Sequence, residues 1–422
     1  MKNRRALLLL HLANTLSGIA QGITMLAIPW YFVRIAEQET LFGKVLLIVT
    51  FLSMIWGIYA GTIIDSSNRR DLFSRVNLIG FIVLIFLSIA SQFIPKMHLL
   101  WGGLAFATTV FIYNIHFPNL YALAQEITES EHYRAVISQL EIQGQLTFTL
   151  AGGFAAILLS GIPGHFHLLG LSLDVPMQLR ALTLSELLYL NAAAYLVTVV
   201  LFQFVRFESI TARGHEPENI RQRLAKGFSY LWQRRAIFYF GNLSLLLFVC
   251  ILVEGLYVLP TFVKSFLGAE GDVYAQSDMV FSIGALLAGF LTTKVFSPQK
   301  PLTGIIILMA IGGLLFMSFP QHQNIPLFYL TNFLIGACNA AIRIQRVSFI
   351  FAHVDNQVIG RVNSVWFMLS VVIRLLTIAL VSMPFFHENT QIQYAMYVLG
   401  AICFSGALGL LFLLPKLNRQ ET

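Results

Sequence analysis

Apolar residues run along this chain in stretches of about twenty, the length a helix needs to cross the hydrocarbon core of a bilayer. Short polar joins break them. That spacing predicts twelve spans, over 7–34, 41–64, 72–94, 98–123, 136–161, 184–206, 237–265, 277–297, 302–319, 325–351, 361–384 and 391–415. The predicted fold is an all-α membrane protein in which successive helices pack antiparallel. Two joins are longer, 162–183 and 207–236, and the second carries Arg213, Arg221, Arg223, Lys226, Arg234 and Arg235. It divides the chain into a six-helix bundle over 1–206, a cytoplasmic linker over 207–236 and a second six-helix bundle over 237–422.

Composition agrees with this. Hydrophobic residues make up 57% of the 422, charged residues 11%, and the mean hydropathy is +0.74, far outside the soluble globular range. The sequence pI near 9.3 raises the question of nucleic acid. The basic residues are read as scattered through short loops, with no basic amphipathic helix, and nucleic acid is set aside. Cys250, Cys338 and Cys403 each lie in an apolar run without paired spacing, so they are read as small core hydrophobes. The basic head and long apolar stretch at the N-terminus lack a small-residue cleavage site and predict an uncleaved first span.

Charge sets the orientation. Of the 27 lysines and arginines, Arg34, Lys44, Lys96, Arg180 and Lys264 fall in one set of joins, and Arg343, Arg346 and Arg374 fall inside spans. The rest lie on the other side, which places both termini in the cytoplasm. The two sets of six also echo one another. "LAIPWYF" at 26–32 matches "YVLPTFV" at 257–263, and "FPNLYALAQEITESEHYRAVIS" at 117–138 aligns with "IQRVSFIFAHVDNQVIGRVNS" at 344–364, setting Arg134 opposite Arg361. Parallel six-helix repeats enclose a cavity near the bilayer midplane.

Between spans two and three stands "GTIIDSSNRRDLF", 61–73. It resembles the signature loop of the major facilitator superfamily, with Gly61, Asp65, Arg69 and Arg70 in place and Asn68 where a glycine is usual. Gly61 permits close helix approach, Asp65 sits at a helix end, and the arginine pair faces the cytoplasm. The equivalent loop of the second half, 289–301, has Thr293 in place of the aspartate. Span five holds "GQLTFTLAGG", 144–153, which partly resembles the antiporter motif through Gly144, Gly152 and Gly153, with Phe148 and Thr149 standing where Gly-Pro is usual. "LAIPWYF", Pro118 and "VDNQVIGRVNS" before span eleven resemble the branch that contains the enterobactin exporter and macrolide efflux proteins. The resemblance implies two bundles related by a pseudo-two-fold axis, with spans one, four, seven and ten lining a cavity.

Permanent charge inside a span needs water or an anion. Arg343 and Arg346 share one helix face and lie roughly 10–15 Å from the end of span ten at 1.5 Å per residue. Arg374 lies near mid-membrane in span eleven. One reading makes them a cationic patch for an anionic substrate, since the guanidinium fork suits carboxylate and phosphate. The other makes the pair snorkel, or gate the halves against Glu141.

Glu254, well inside span seven, and Glu141, in span five, are candidates for carrying a proton during transport, or else are held ionised against an arginine. Asn14, Gln21, Asn114 and His116 complete the candidate cavity. His116 aligns with Arg343 in the repeat, and for all four an interhelical hydrogen bond is the alternative to ligand contact. His165 and His167 are read as surface residues, and no metal site is expected. No Gly-x-x-x-x-Gly-Lys-Ser/Thr loop occurs, so ATP is not the energy source. No nucleophilic triad or carboxylate pair can be assembled, and no cofactor or enzyme activity is expected.

By resemblance the chain is expected to be a monomeric secondary transporter of a bacterial inner membrane. It is read as a proton-coupled exporter working by alternating access. The arginines tilt its substrate toward an anionic or chelating metabolite such as a carboxylate siderophore rather than a cationic drug. Its partners are then that small molecule, protons and the lipid bilayer. Uptake of an organic anion is the alternative within transport, and a transport-inactive sensor or assembly factor is the alternative of another class.

Overall fold

The structure is a computed structural model that describes residues 3–168, 171–207, 220–295, 301–354, 358–388 and 390–418. Twelve helical segments are long and apolar enough to cross a membrane, and each overlaps one predicted span. Arg213, Lys300 and residues 355–357 lie outside the described residues, as do the side chains of Asp65, Arg134, His165, His167, Arg221, Arg223 and Thr293.

The chain forms two compact units, Met1–Pro217 and Glu218–Thr422. In the first, α1 (Arg4–Trp30), α2 (Glu39–Ser66), α3 (Arg69–Phe93), α4 (His98–Ile127), α5 (Tyr133–Ser160) and α6 (Leu184–Gln203) are the six spans. Several helices begin where a side chain satisfies the orphan N–H groups of the first turn. Asn68 accepts from the N–H groups of Arg70 and Asp71 at the head of α3. Thr183 and Glu186 close a reciprocal capping box on α6. The long outer join contains an antiparallel hairpin, β1 (Ile162–Leu168) and β2 (Leu171–Leu179), with an irregularity between Pro163 and His165. Prolines at 163 and 176 are tolerated because a two-stranded ribbon has only edges.

One core of this unit gathers Leu7 and Leu10 of α1, Phe73 of α3, Leu123 and Ile127 of α4, Val136 and Leu140 of α5 and Phe202 of α6. Phe73 lies flat on Phe202, with ring centroids 4.2 Å apart. Gly18 and Gly22 of α1 leave room for Thr147 and Ala151 of α5. At Gly61, by contrast, an added Cβ would meet nothing within 4 Å, and the same holds at Gly144. The close helix approach expected at Gly61 is therefore absent among the described residues.

In the second unit the stretch 220–265 is four helices: α7 (Ile220–Gln233), α8 (Arg235–Ser244), α9 (Leu246–Val253) and α10 (Leu259–Ser265). A π turn, Glu254–Val258, joins α9 to α10. Its cause is local. Pro260 has no N–H to give the carbonyl four residues back, and Leu259 instead donates to Glu254, five residues back. A second π turn, Tyr31–Ile35, follows Pro29 in span one. The remaining helices are α11 (Gly271–Val295), α12 (Pro301–Ser318), α13 (Ile325–His353), α14 (Ile359–Val381) and α15 (Gln393–Asn418).

The helix α7 corrects the sequence reading, which had no basic amphipathic helix. Ile220, Leu224, Leu231 and the aromatics 228 and 232 recur at helical spacing between Arg221, Arg223 and Lys226. Leu231 is buried, and Gly227 sits against the Arg361 backbone of α14 so closely that a Cβ would collide with it. The segment is too short and too basic to register as a span, so it reads as a loop until its packing face is known.

Backbone lies directly on backbone between α11 and α13. A Cβ at Gly284 would strike the Phe333 carbonyl, and one at Gly336 would strike the Phe281 carbonyl. Each helix thus presents Phe-x-Ile-Gly to the other. Ala285, Ala288, Ala337 and Ala340 extend the contact, the small-residue packing that lets apolar helices associate where the solvent is itself apolar. Gly313 of α12 and Gly400 of α15 make a similar pair. Outward from both units, large apolar side chains such as Phe86, Leu314, Leu376 and Phe412 stay exposed, the surface expected toward lipid.

Candidate functional site

In the first unit the signature loop is a brace. Arg69 donates from Nη1 to the Ala122 carbonyl at 2.7 Å and lies 3.9 Å from Glu126, both on α4. Asn119 donates to the Arg69 carbonyl at 2.8 Å. Arg70 reaches the other way, to the carbonyls of Phe202 and Gln203 at the end of α6. These carbonyls belong to the last turn of α6, at the negative end of the helix dipole, and that of Phe202 also accepts from the Val205 N–H at 3.2 Å. The loop therefore ties the ends of α3, α4 and α6 together.

Deeper in the same unit, His116 and Asn14 hydrogen-bond each other at 2.9 Å between α4 and α1. Gln21 donates to the Thr109 carbonyl at 3.1 Å. All three are buried, and each of these bonds is interhelical. Asn114 is half-buried. Glu141 accepts from the Tyr121 hydroxyl at 2.8 Å. Sequence reasoning missed an open recess of about 450 Å³ between α1 and α5, lined by His11, Thr15, Gln143, Leu146 and Leu150 among others. Gln143 donates to the His11 carbonyl at 2.6 Å and to the Thr15 hydroxyl at 2.5 Å, so its amide is held rigidly at the polar end. His11 and Gln143 are short polar interruptions of apolar runs, the only signal the sequence offers for them.

The second unit carries the buried charges. Glu254 heads the π turn and is 4% exposed, and its Oε1 finds no hydrogen-bond partner among the described residues. Asp278 of α11 lies within electrostatic reach of it, and both act on Tyr274, whose hydroxyl donates to the Gly255 carbonyl at 3.0 Å. An acid at the head of the π turn and a second on α11 therefore both act on Tyr274, which is hydrogen-bonded to that turn. Asp278 was not singled out from sequence because it lies at the margin of a span, where an acid is unremarkable. Its distinguishing signal is the apolar sequence that follows it.

Arg346 donates from Nη1 to the Ser244 carbonyl at 3.0 Å, and Arg343 is close enough to act on it electrostatically while itself exposed. The pair does share a face of α13. Arg374 is on α14, which packs against α7, α8 and α9, and its Nε is buried without a hydrogen bond. Among the described residues no contact joins it to the pair. Arg361 is half-buried on α14, Gly152 is buried and Gly153 half-buried on α5. No group of three or more His, Cys, Asp or Glu able to hold a metal occurs among the described residues.

No protein-family model and no curated protein sequence matches this chain. Its fold has close counterparts among solved structures. The nucleoside transporter NupG superposes with a TM-score of 0.69 at 13% identity over 97% of this chain and 99% of that one. A bacterial homologue of the iron transporter ferroportin, in an inward-facing state, gives 0.68 at 14% identity over 98% and 99%. The POT family transporter PepTSo gives 0.67 at 12% identity over 99% of each. The chain thus has the twelve-span major facilitator fold along nearly its whole length, in a multi-pass integral membrane protein.

Proposed function

We propose that this protein is a secondary active transporter that exports a small anionic or amphipathic metabolite in exchange for protons. The observation that carries the reading is the Glu254 carboxyl, buried at a π turn with an oxygen left unpartnered and with Asp278 in electrostatic reach. A buried carboxyl without a fixed cation suits the uptake and release of a proton better than a permanent ion pair does. The π turn supports this role, since such insertions concentrate at functional sites and give a helix a place to bend.

The substrate class rests on Arg343, Arg346 and Arg374. Arg346 spends one donor on Ser244 and Arg374 leaves Nε unsatisfied, so guanidinium N–H groups remain for a carboxylate or phosphate. A carboxylate siderophore has this chemistry, in keeping with the resemblance to the enterobactin exporter and macrolide efflux branch. Alternating access by two six-span bundles over 1–206 and 237–422, in a bacterial inner membrane with both termini cytoplasmic, is the mechanism of this reading. The solved transporters of this fold act on nucleosides and metals by their names, which leaves substrate identity to the residues.

The test is flux in proteoliposomes. Efflux of a labelled tricarboxylate siderophore should accelerate when an opposing proton gradient is imposed and fall to the leak rate when the gradient is collapsed. Flux indifferent to the gradient overturns proton coupling. No flux of any anionic metabolite under either condition overturns transport of this class.

A further inference from the structure

We propose that the recess between α1 and α5 is a binding site for a neutral amphiphile, a molecule with an uncharged hydroxyl or amide head on an apolar body. This goes beyond the transport reading and does not rest on it.

The polar end of the recess has its hydrogen-bond roles fixed. Gln143 donates both amide protons, to the His11 carbonyl and to the Thr15 hydroxyl, and its Oε1 lies 2.5 Å from His11 Nδ1. An amide oxygen only accepts, so Nδ1 is the donor and the neutral ring keeps its lone pair on Nε2. The His11 ring makes no other hydrogen bond among the described residues. Thr15, having accepted from Gln143, still has its own proton to donate. Thr147 lines the same recess, is 5% exposed, and its Oγ1 finds no partner among the described residues. Its methyl group is the part turned on Gly18. A buried hydroxyl left unpaired is unfavourable, and a ligand atom that accepts from it relieves this.

The rest of the recess is apolar. Gly18 meets Thr147 and Gly22 meets Ala151, so α1 and α5 run parallel, with His11 and Gln143 toward the heads of both helices and Leu150 further along. Leu146 and Leu150, about one turn apart on α5, are each 47% exposed. The volume of about 450 Å³ suits a small organic ligand. No Asp, Glu, Lys or Arg lines the recess. An ammonium head would find no countercharge there, and a carboxylate would oppose the Nε2 lone pair. A hydroxyl answers the whole set, donating to His11 and accepting from Thr15 or Thr147. Such a head occurs on glycerol-headed lipids and on hydroxylated solutes.

The full chain with isotope-labelled histidine is reconstituted in phosphatidylcholine, and para-hexylphenol is compared with its methyl ether, which keeps the acceptor but cannot donate. Solid-state NMR reads the His11 Nε2 nitrogen, assigned by its absence in His11→Phe. We expect an unprotonated Nε2 in the free protein, a shift on adding the phenol and none with the ether. Thr147→Val should weaken phenol affinity by about tenfold, the loss of one hydrogen bond, and it tests the site by itself if His11→Phe fails to fold. An equal mixture with phosphatidylglycerol separates the two sources. A shift without added phenol supports the site with a glycerol headgroup as occupant, and a shift only with the phenol supports it with a solute. A protonated Nε2 in the free protein, equal shifts from phenol and ether, or undiminished phenol affinity in Thr147→Val overturns the proposal.

Discussion

Arg70 donates from Nε and from Nη2 to one acceptor, the carbonyl of Phe202, at 3.3 and 3.2 Å. A guanidinium on the first turn of α3 thus closes the last turn of α6. Arg70→Ala should lower stability by about 1–2 kcal/mol, less than a fully buried charged hydrogen bond because the group is half exposed. Arg70→Lys should recover only part, since an ammonium cannot span the same pair of carbonyls. Thermal unfolding of the purified protein in detergent checks both.

Asn68 stands where the signature loop usually has glycine, and it caps α3. Asn68→Ala should cost about 1 kcal/mol, whereas Asn68→Gly should cost only a few tenths. The order of the two melting temperatures is the measurement. Equal losses would mean that the cap contributes nothing.

Gly284 and Gly336 face backbone, which cannot step aside as a flexible side chain can. Substitution of either by Leu should separate α11 from α13 and destabilise by several kcal/mol, beyond the roughly 1–3 kcal/mol of ordinary overpacking. Folded yield by size-exclusion chromatography reads this. Gly144→Ala, which meets open space, is the control that should leave yield unchanged.

Glu254→Gln should abolish flux driven by a proton gradient while leaving exchange of substrate across the membrane intact, because the amide keeps the shape and loses only the titratable proton. Comparing gradient-driven efflux with counterflow in the same proteoliposomes separates the two. Loss of both would assign Glu254 to substrate binding or folding instead.

Charge reversal at Arg343, which is exposed, should abolish transport with a smaller loss of melting temperature than Arg346→Ala, which should abolish transport and also strip the donor from the Ser244 carbonyl. Transport and thermal stability measured on the same preparations distinguish them.

The spans were legible because crossing a bilayer is a matter of length and apolarity, which local sequence carries in full. The signature arginines were legible as a motif, but their acceptors, carbonyls at the ends of α4 and α6, carry no sequence mark. Asn14 and His116 were each visible as polar residues within spans, yet their bond to each other depends on how α1 and α4 turn. Asp278 and Gly284 were hidden for a related reason. An acid near a span margin and a glycine in an apolar helix acquire meaning only from the neighbouring helix, here Glu254 and Phe333. The helix α7 was hidden by its arginines, which mask a periodic apolar edge.

The reciprocal glycines bear on how this unit can move. With backbone lying on backbone at Gly284 and Gly336, neither helix can roll or slide without the other, so whatever each carries must be transported as fixed cargo on a single rigid strut. Asp278 precedes one contact by six residues and Arg343 follows the other by seven. An acid and an arginine are thereby mounted on opposite sides of one pivot, with a spacing that stays constant however far the strut tilts.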